Sequence, residues 1–311
     1  MKELLLILLC LPMIGFGQLT YVPDDNFEQA LINLGYDNVL DDDVLTSSID
    51  TITYLDISYQ NITDLTGIED FLSLQHLNTS GNQLGYFDIS NNINLTYLFC
   101  RDNDLSYINL SQNLNLWEFN ARSNNLTELD VSNNINLGIL VFDDNQVYSI
   151  DISNNYNLYY IGFQENNLQN LDVSNNPLLT AIDCWDNQIT SLDLSGLFGL
   201  QHINCENNNL QSLDIRNGNN YILQSFFIAN NPLLECINVD DVAWSNANWT
   251  VIDPQHYFST NCPPSAIQEH SLNKKLLKVT GLLGRETNEK KNQPLFYIYD
   301  DGTVEKRIVI E

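Results

Sequence analysis

Hydrophobic positions recur every 21 residues along most of the chain. Leucines stand at positions 74, 95, 116, 137, 158, 179 and 200, and an asparagine follows each of them eight residues later. Between the two, apolar residues alternate with other residues, and this period of two predicts a short β-strand with one buried face. About a dozen residues remain for the return, too few for a proper helix, so short extended or 3₁₀ segments are expected there.

We number each unit from its leucine, so that the asparagine falls at position 9. An earlier unit starts at Ile52, with Gln60 at position 9, and the last starts at Leu223. These residues resemble the leucine-rich repeats of bacterial internalin-like proteins, and nine such repeats cover residues 52–237. The resemblance implies a right-handed, β-rich leucine-rich-repeat solenoid with a parallel concave β-sheet.

The position-9 asparagines predict a structural ladder inside the solenoid. Each buried amide would satisfy backbone groups that are left unpaired where the chain turns off its strand. Gln60 offers the same groups at the first unit. The predicted ladder consists of Asn82, Asn103, Asn124, Asn145, Asn166, Asn187, Asn208 and Asn231.

A column of aspartates runs along the return segments at position 15. Such carboxylates either form calcium sites or accept turn N–H groups, and Asn109 in one place of the column favours turns. We therefore predict no metal site and no cofactor. The aspartates are Asp88, Asp130, Asp151, Asp172, Asp193 and Asp214.

The ends of the chain predict a processed, capped protein. Residues 1–17 combine a short charged start, an apolar run and small residues before Gln18, which is typical of a secretory signal peptide. Residues 18–51 form an N-terminal cap, in which Asp24 to Gly35 reads as a capped helix. Residues 238–262 form a C-terminal cap whose aromatic residues cover the core. No later stretch has 18 uninterrupted apolar residues, so no membrane span is expected in the mature chain.

Export places the five remaining cysteines in an oxidising compartment. Cys236 and Cys262 bracket the C-terminal cap, and we predict a disulfide between them. Cys100, Cys184 and Cys205 share position 6 with residues from alanine to phenylalanine, so they are expected to be free thiols in the core.

Residues 263–273 read as a linker, and residues 274–311 as a β tail with two β-rich runs around Asp301 and Gly302. The tail resembles the C-terminal sorting domain of the type IX secretion system of Bacteroidetes-type bacteria. The matching residues are Leu282 to Glu286 and the terminal run from Lys306 to Ile310. The resemblance implies export across the outer membrane by that machinery.

Charge is distributed unevenly along the chain. Residues 18–269 hold 33 acidic and three basic residues, whereas the remainder of the chain to residue 311 holds six acidic and eight basic ones. A segment as acidic as residues 18–269 repels phosphate groups, which excludes nucleic acid as a partner.

Positions 3, 5 and 7 of each unit point away from the core and carry the candidate binding site. Tyr, Trp and Arg are common in binding hot spots, although β-propensity alone also favours aromatic residues on strands. No catalytic residues are predicted, because no nucleophile has a base fixed beside it and the histidines lie far apart. The candidate ligand-binding residues are Tyr97, Phe99, Arg101, Arg122, Ile139, Val141, Tyr160 and Trp185.

The favoured function is a secreted or cell-surface, non-enzymatic recognition or adhesion protein that binds a protein partner on the concave sheet. The alternative is a carbohydrate-binding surface protein that captures polysaccharide, since tyrosine, tryptophan and acidic groups also suit sugars.

Overall fold

In a computed structural model of the chain, the described residues are 17–263 and the segments 276–280, 294–299 and 304–308. The chain divides into two compact units, Met1–Cys262 and Pro263–Glu311. The signal-peptide run 1–16, most of the linker, the motif from Leu282 to Glu286 and the Asp301-Gly302 turn lie outside the described residues.

The main sheet has nine parallel strands, one from each repeat. Its strands are β3 (Tyr54–Asp56), β4 (His76–Asn78), β5 (Tyr97–Phe99), β6 (Glu118–Asn120), β7 (Ile139–Val141), β8 (Tyr160–Gly162), β9 (Ala181–Asp183), β11 (His202–Asn204) and β13 (Ser225–Phe227). Neighbours pair in register, so that position 3 of one coil stands beside position 3 of the next. The predicted leucine-rich-repeat solenoid is confirmed.

A second parallel sheet occupies the return side of the later coils. Its strands are β10 (Ser191–Asp193), β12 (Ser212–Asp214), β14 (Cys236–Asn238) and β15 (Tyr257–Ser259). Two 3₁₀ turns, Ile68–Asp70 and Asn220–Ile222, lie on other return segments. The return is therefore short and extended or 3₁₀, as the repeat length predicts.

One continuous hydrophobic core runs between the two sides of the coils. The leucines at position 1 and the position-4 residues of every strand in the main sheet are buried, for example Leu95 and Leu98. Cys100, Cys184 and Cys205 are fully buried free thiols at position 6, as expected. Burial raises the pKa of all three thiols, that of Cys184 to about 12.

The position-9 asparagines form the predicted ladder. The amide of Asn124 donates to the carbonyls of Cys100 and Ala121 at 3.0 Å each, and its Oδ1 accepts the N–H of Leu105. The other interior members repeat this pattern, so each coil is bonded to the one before it. Gln60 is exposed, and its side-chain amide donates to the Ser58 carbonyl of its own coil, whereas its backbone N–H donates to Asn82 Oδ1.

Two further asparagine columns follow at positions 19 and 21. Asn113 is fully buried and donates to Ile89 and Asn92, whereas Asn115 is exposed and donates to Ile93. The sequence shows these columns, but the alternating pattern gives no indication that position 19 is buried. Every coil also carries a left-handed residue at position 8, such as Glu165 with φ of 54°.

The position-15 aspartates act as turn residues. Asp151 Oδ1 accepts the backbone N–H of Ser153 at 2.9 Å, and the same contact recurs along the column. These bonds from Ser153 lower the pKa of Asp151. The turn interpretation therefore accounts for the column.

The N-terminal cap is built on a two-stranded sheet and two helices. Strands β1 (Leu19–Tyr21) and β2 (Asp43–Leu45) pair antiparallel, and the helices are α1 (Asp25–Leu34) and α2 (Thr46–Ile49). Asp24 caps α1 and also accepts hydrogen bonds from Thr63 and Asp64, which ties the helix to the first coil. Gly35 ends α1 in the left-handed conformation, with φ of 83°.

The C-terminal cap contains helix α3 (Val242–Asn248) and the predicted disulfide. Cys236 and Cys262 are bonded, with their Cα atoms 5.7 Å apart. Trp249 and Phe258 are buried against Phe226, and the Trp249 and Phe226 rings stack at 4.3 Å. Tyr257, by contrast, stays exposed, so only part of the aromatic set covers the core.

The second unit contains three antiparallel strands. They are β16 (Leu276–Thr280), β17 (Pro294–Tyr299) and β18 (Val304–Ile308), in the order β16-β17-β18. Residues Pro294 and Ile308 pair at one end of the β17–β18 ladder, and Ile298 and Val304 pair at the other.

Candidate ligand-binding face

The side chains at positions 3, 5 and 7 project from the outer side of the nine-stranded sheet, which we call the open face. Tyr97, Phe99, Ile139, Tyr160 and Trp185 are partly exposed there. Arg101 and Arg122 are exposed at position 7. The structure thus places seven of the eight predicted residues on an accessible surface, but it divides them between two different environments.

The prediction that Val141 belongs to the accessible surface must be corrected, because this residue is only 7% exposed. Its neighbour across the strands is Gly162, which leaves a gap in the face. Val141 Cγ1, the Tyr160 hydroxyl and Asp143 Oδ1 all lie within 3.5 Å of the point where a Cβ on Gly162 would stand. Side chains from both strands close over the glycine, and Val141 is covered as a result.

An aromatic cluster occupies the early end of the open face. The rings of Tyr54 and His76 stack with centroids 4.6 Å apart, and His76 also contacts Tyr97 at 5.5 Å and Phe99 at 5.2 Å. Burial lowers the pKa of His76, although nearby Asp56 opposes this shift. Tyr54 and His76 are missing from the predicted site, yet their shared position 3 is the signal that identifies them.

A polar centre occupies the later half of the open face. Asp183 on β9 receives a hydrogen bond of 3.0 Å from the Tyr160 hydroxyl through Oδ2. Its other oxygen, Oδ1, lies 2.7 Å from Nε2 of His202 on β11. Burial and the neighbouring Asp183 raise the pKa of Tyr160. Trp185 belongs to this region, and its indole donates to the Gln164 side chain at 3.1 Å.

Asp143 is the most perturbed acid of the open face. It is only 5% exposed, and its Oδ1 atom accepts no hydrogen bond from the described residues. Burial raises the pKa of Asp143 to about 6, although Arg122 and the backbone N–H of Gln164 oppose the shift. Asp183 and Glu165 add further negative charge nearby. A carboxyl group in this setting favours its neutral form, or a cation brought to it.

Neither arginine is committed to a strong ion pair on the described surface. Arg101 lies 3.7 Å from its sequence neighbour Asp102, and both side chains are about half exposed. Such a pair contributes little to stability in water. Both guanidinium groups are therefore accessible for a ligand.

Among the described residues, no group of three or more histidine, cysteine, aspartate or glutamate side chains is placed to hold a metal ion. The described residues also contain no helix long and apolar enough to cross a membrane.

A second feature borders the open face at the edge where the strands begin. Trp117 and Tyr159 stand at position 2, on either side of Gly138, with ring centroids 5.9 Å apart. Trp117 also meets Tyr97 edge-on at 5.6 Å. The sequence-based site omits Trp117 and Tyr159, because position 2 lies just before the alternating run.

Several solved structures share this architecture. Internalin C2 from Listeria monocytogenes matches 77% of this chain and 94% of its own length, at 20% identity and a TM-score of 0.51. A TDR receptor matches 62% of this chain and 41% of its own length, at 23% identity and a TM-score of 0.54. The functional domain of InlJ from Listeria monocytogenes, which includes a cysteine ladder, matches 78% of this chain and 70% of its own length at 24% identity, with a TM-score of 0.36.

Neither a protein-family model nor a curated protein sequence matches this chain. The matches to internalin C2 and to the TDR receptor support the fold. It is an internalin-like, leucine-rich-repeat solenoid built from coils of about 21 residues.

Proposed function

We propose that this protein is a secreted or cell-surface, non-enzymatic recognition protein that binds a protein partner through the open face. The observation that carries the proposal is the composition of that face. It combines a cluster of accessible aromatic rings with two arginines that have no strong partner on the described surface. Aromatic residues and arginine dominate binding energy in protein interfaces.

The two halves of the face suit different parts of one partner. The cluster of Tyr54, His76, Tyr97 and Phe99 offers an apolar contact, whereas Asp143 and Asp183 suit a basic side chain. The body of the chain is strongly acidic. We therefore expect a basic partner, whose association weakens as salt increases.

Binding rather than catalysis fits the polar centre. Tyr160 and His202 both direct their polar atoms to Asp183 and not to each other. Burial and the Asp183 carboxylate raise the pKa of Tyr160, so its hydroxyl is held as a neutral hydrogen-bond donor rather than as an activated nucleophile.

The experiment uses two steps. The purified chain first captures partners from the secreted and surface proteins of neighbouring cells, and the purified partner is then titrated by calorimetry. We expect Phe99→Ala combined with Trp185→Ala to weaken binding by about tenfold or more. Tyr148→Ala is the control, because Tyr148 is 58% exposed on the return side. Equal affinity of the face variant and the control would contradict the proposal.

Export is the second part of the proposal. The signal-like run 1–17, the Cys236–Cys262 disulfide and the resemblance of the tail to a type IX sorting domain support it. In this view the type IX secretion machinery is a partner of residues 274–311, and the tail is removed at export. Mass spectrometry of secreted material tests this directly, since mature peptides from beyond about Pro264 would count against removal.

A further inference from the structure

An open groove runs along the edge of the main sheet where its strands begin. Its volume is about 640 Å³, and it is lined by Thr96, Tyr97, Asn115, Trp117, Asn136 and Asn157. This volume falls within the range of about 300–1,000 Å³ that is usual for small-molecule sites. The lining runs from Thr96 to Asn157, almost three turns of the solenoid, which is a distance of about 14 Å.

The wall of the groove is aromatic, and a glycine makes this possible. Trp117 and Tyr159 are two coils apart, yet they lean over Gly138 until their ring centroids are 5.9 Å apart. A Cβ on Gly138 would stand 2.9 Å from Trp117 Nε1 and 3.1 Å from Tyr159 Cε1. Tyr97 extends the wall through its edge contact with Trp117. Flat rings of this kind present faces on which another ring can stack.

A column of amides with fixed orientation also lines the groove. Asn115, Asn136 and Asn157 each donate an Nδ2 hydrogen bond of 3.0–3.1 Å to a backbone carbonyl of the preceding coil. Because their NH₂ groups are held in this way, their carbonyl oxygens remain as acceptors. No described residue donates a hydrogen bond to these oxygens, and all three asparagines are exposed. Each NH₂ group also keeps its second N–H, so the column matches a ligand whose groups both donate and accept hydrogen bonds, as hydroxyl groups do.

All six lining residues are uncharged, in a chain with 40 acidic residues. We infer that the groove is a binding site for a neutral oligosaccharide, whose sugar rings stack on Trp117 and its neighbours while hydroxyl groups donate to the asparagine oxygens. This function goes beyond the proposed protein recognition. The groove and the open face meet at Tyr97, so the tests leave that residue unchanged.

Two other ligand classes fit the groove less well. A peptide would bind at a sheet edge chiefly by pairing with free backbone groups. The backbone along this edge is already paired from coil to coil, as in the bond from Trp117 N–H to the Thr96 carbonyl at 2.8 Å. An acidic saccharide would meet the repulsion of a chain with a net charge of −28.

The test is calorimetric titration of the purified full chain with cellohexaose, xylohexaose, mannohexaose and maltohexaose, and with a hexamer of polygalacturonate as the acidic probe. We expect at least one neutral probe to bind and the acidic probe to fail. Trp117→Ala and Gly138→Ala should weaken binding by about tenfold or more, the second by displacing the rings. Gly85→Ala is the matched control, since nothing lies within 4 Å of a Cβ at Gly85.

Asn136→Ala keeps the test decisive if either wall variant fails to fold, because Asn136 is an exposed side chain whose only hydrogen bond among the described residues goes to the Leu114 carbonyl. It should weaken binding several-fold. Failure of every neutral probe to bind, equal affinity for the acidic probe, or unchanged affinity in the groove variants would overturn the inference. Affinity for a protein partner should stay unchanged in Gly138→Ala. Failure of the oligosaccharide site can therefore be distinguished from failure of the open-face proposal.

Discussion

Tyr160 and Asp183 lie on adjacent strands of the main sheet and are joined by a hydrogen bond of 3.0 Å from the phenol to Oδ2. The Tyr160 side chain reaches Asp183 by lying across Gly162, where a Cβ would stand 3.4 Å from its hydroxyl. The same carboxylate contacts His202 on the following strand. One aspartate therefore fixes side chains from three coils in the middle of the open face.

Removal of the Tyr160 hydroxyl tests this arrangement. We expect Tyr160→Phe to lower the free energy of unfolding by about 1 kcal/mol, because the Asp183 oxygen loses a partner in a half-buried setting. Urea denaturation measures the change. Tyr159→Phe is the control, since the Tyr159 hydroxyl makes no hydrogen bond with the described residues, and it should be neutral. Equal effects of the two substitutions would contradict the role given to the bond.

Asp143 predicts an unusual pH dependence. Its pKa is about 6 in the folded protein, against an ordinary value of 3.8. Between these values the folded state keeps a proton that the unfolded state has lost, so stability falls as pH rises through this window. Asp143→Asn lacks this effect. Between pH 4 and pH 7 we expect the free energy of unfolding of Asp143→Asn to rise by about 2 to 3 kcal/mol relative to that of the natural chain.

The measurement is urea denaturation of both proteins across that range. Asp151→Asn should show a pH dependence of stability in the opposite direction, because hydrogen bonds from Ser153 lower the pKa of Asp151. Its contribution to stability is present above its ordinary pKa and is lost as pH falls. A difference between Asp143→Asn and the natural chain that does not change with pH would refute the account of Asp143.

The asparagine ladder predicts that replacing one of its members at an interior coil causes a large loss of stability. Asn145 donates to the carbonyls of Ala121 and Phe142, and its Oδ1 accepts the N–H of Leu126. Asn145→Ala would leave the buried Leu126 N–H unpaired and would remove one of the two ladder bonds to each carbonyl, so we expect a loss of about 2 to 3 kcal/mol in unfolding free energy. Gln60→Ala, at the exposed first coil, should change stability by less than about 0.5 kcal/mol. Comparable losses at both positions would disprove the ladder.

The three core thiols should be unreactive while the protein is folded. Cys100, Cys184 and Cys205 are fully buried, and burial raises the pKa of each thiol, so thiolate is scarce. A chain beginning at Gln18 should show no rapid reaction with Ellman's reagent in buffer and three reactive thiols in denaturant without reductant. Five thiols in denaturant would mean that Cys236 and Cys262 are not bonded.

The parts of the fold that recur in every unit could be predicted from the sequence. Leu95 and Asn103 belong to columns whose spacing never changes between residues 74 and 208, and each column has a single structural role. The disulfide followed from the position of Cys236 and Cys262 around a segment that breaks the repeat. Those features depend on chain spacing alone.

The binding surfaces depend on side-chain directions that spacing does not specify. Trp117 and Tyr159 meet only because Gly138 between them has no side chain. Val141 has an outward position but is covered, since Tyr160 turns across Gly162. In both cases a glycine on the neighbouring strand decides where larger side chains lie, and the alternating pattern of one strand carries no such information.

The bonds from the Asn145 side chain reach only its own coil and the one before it. Every interior repeat has the same dependence on its neighbours. A gene that gained or lost one repeat length of coding DNA would therefore encode a chain with all its internal amides matched. Recombination can lengthen or shorten this protein in whole steps, and each step adds or deletes one row of side chains on the open face.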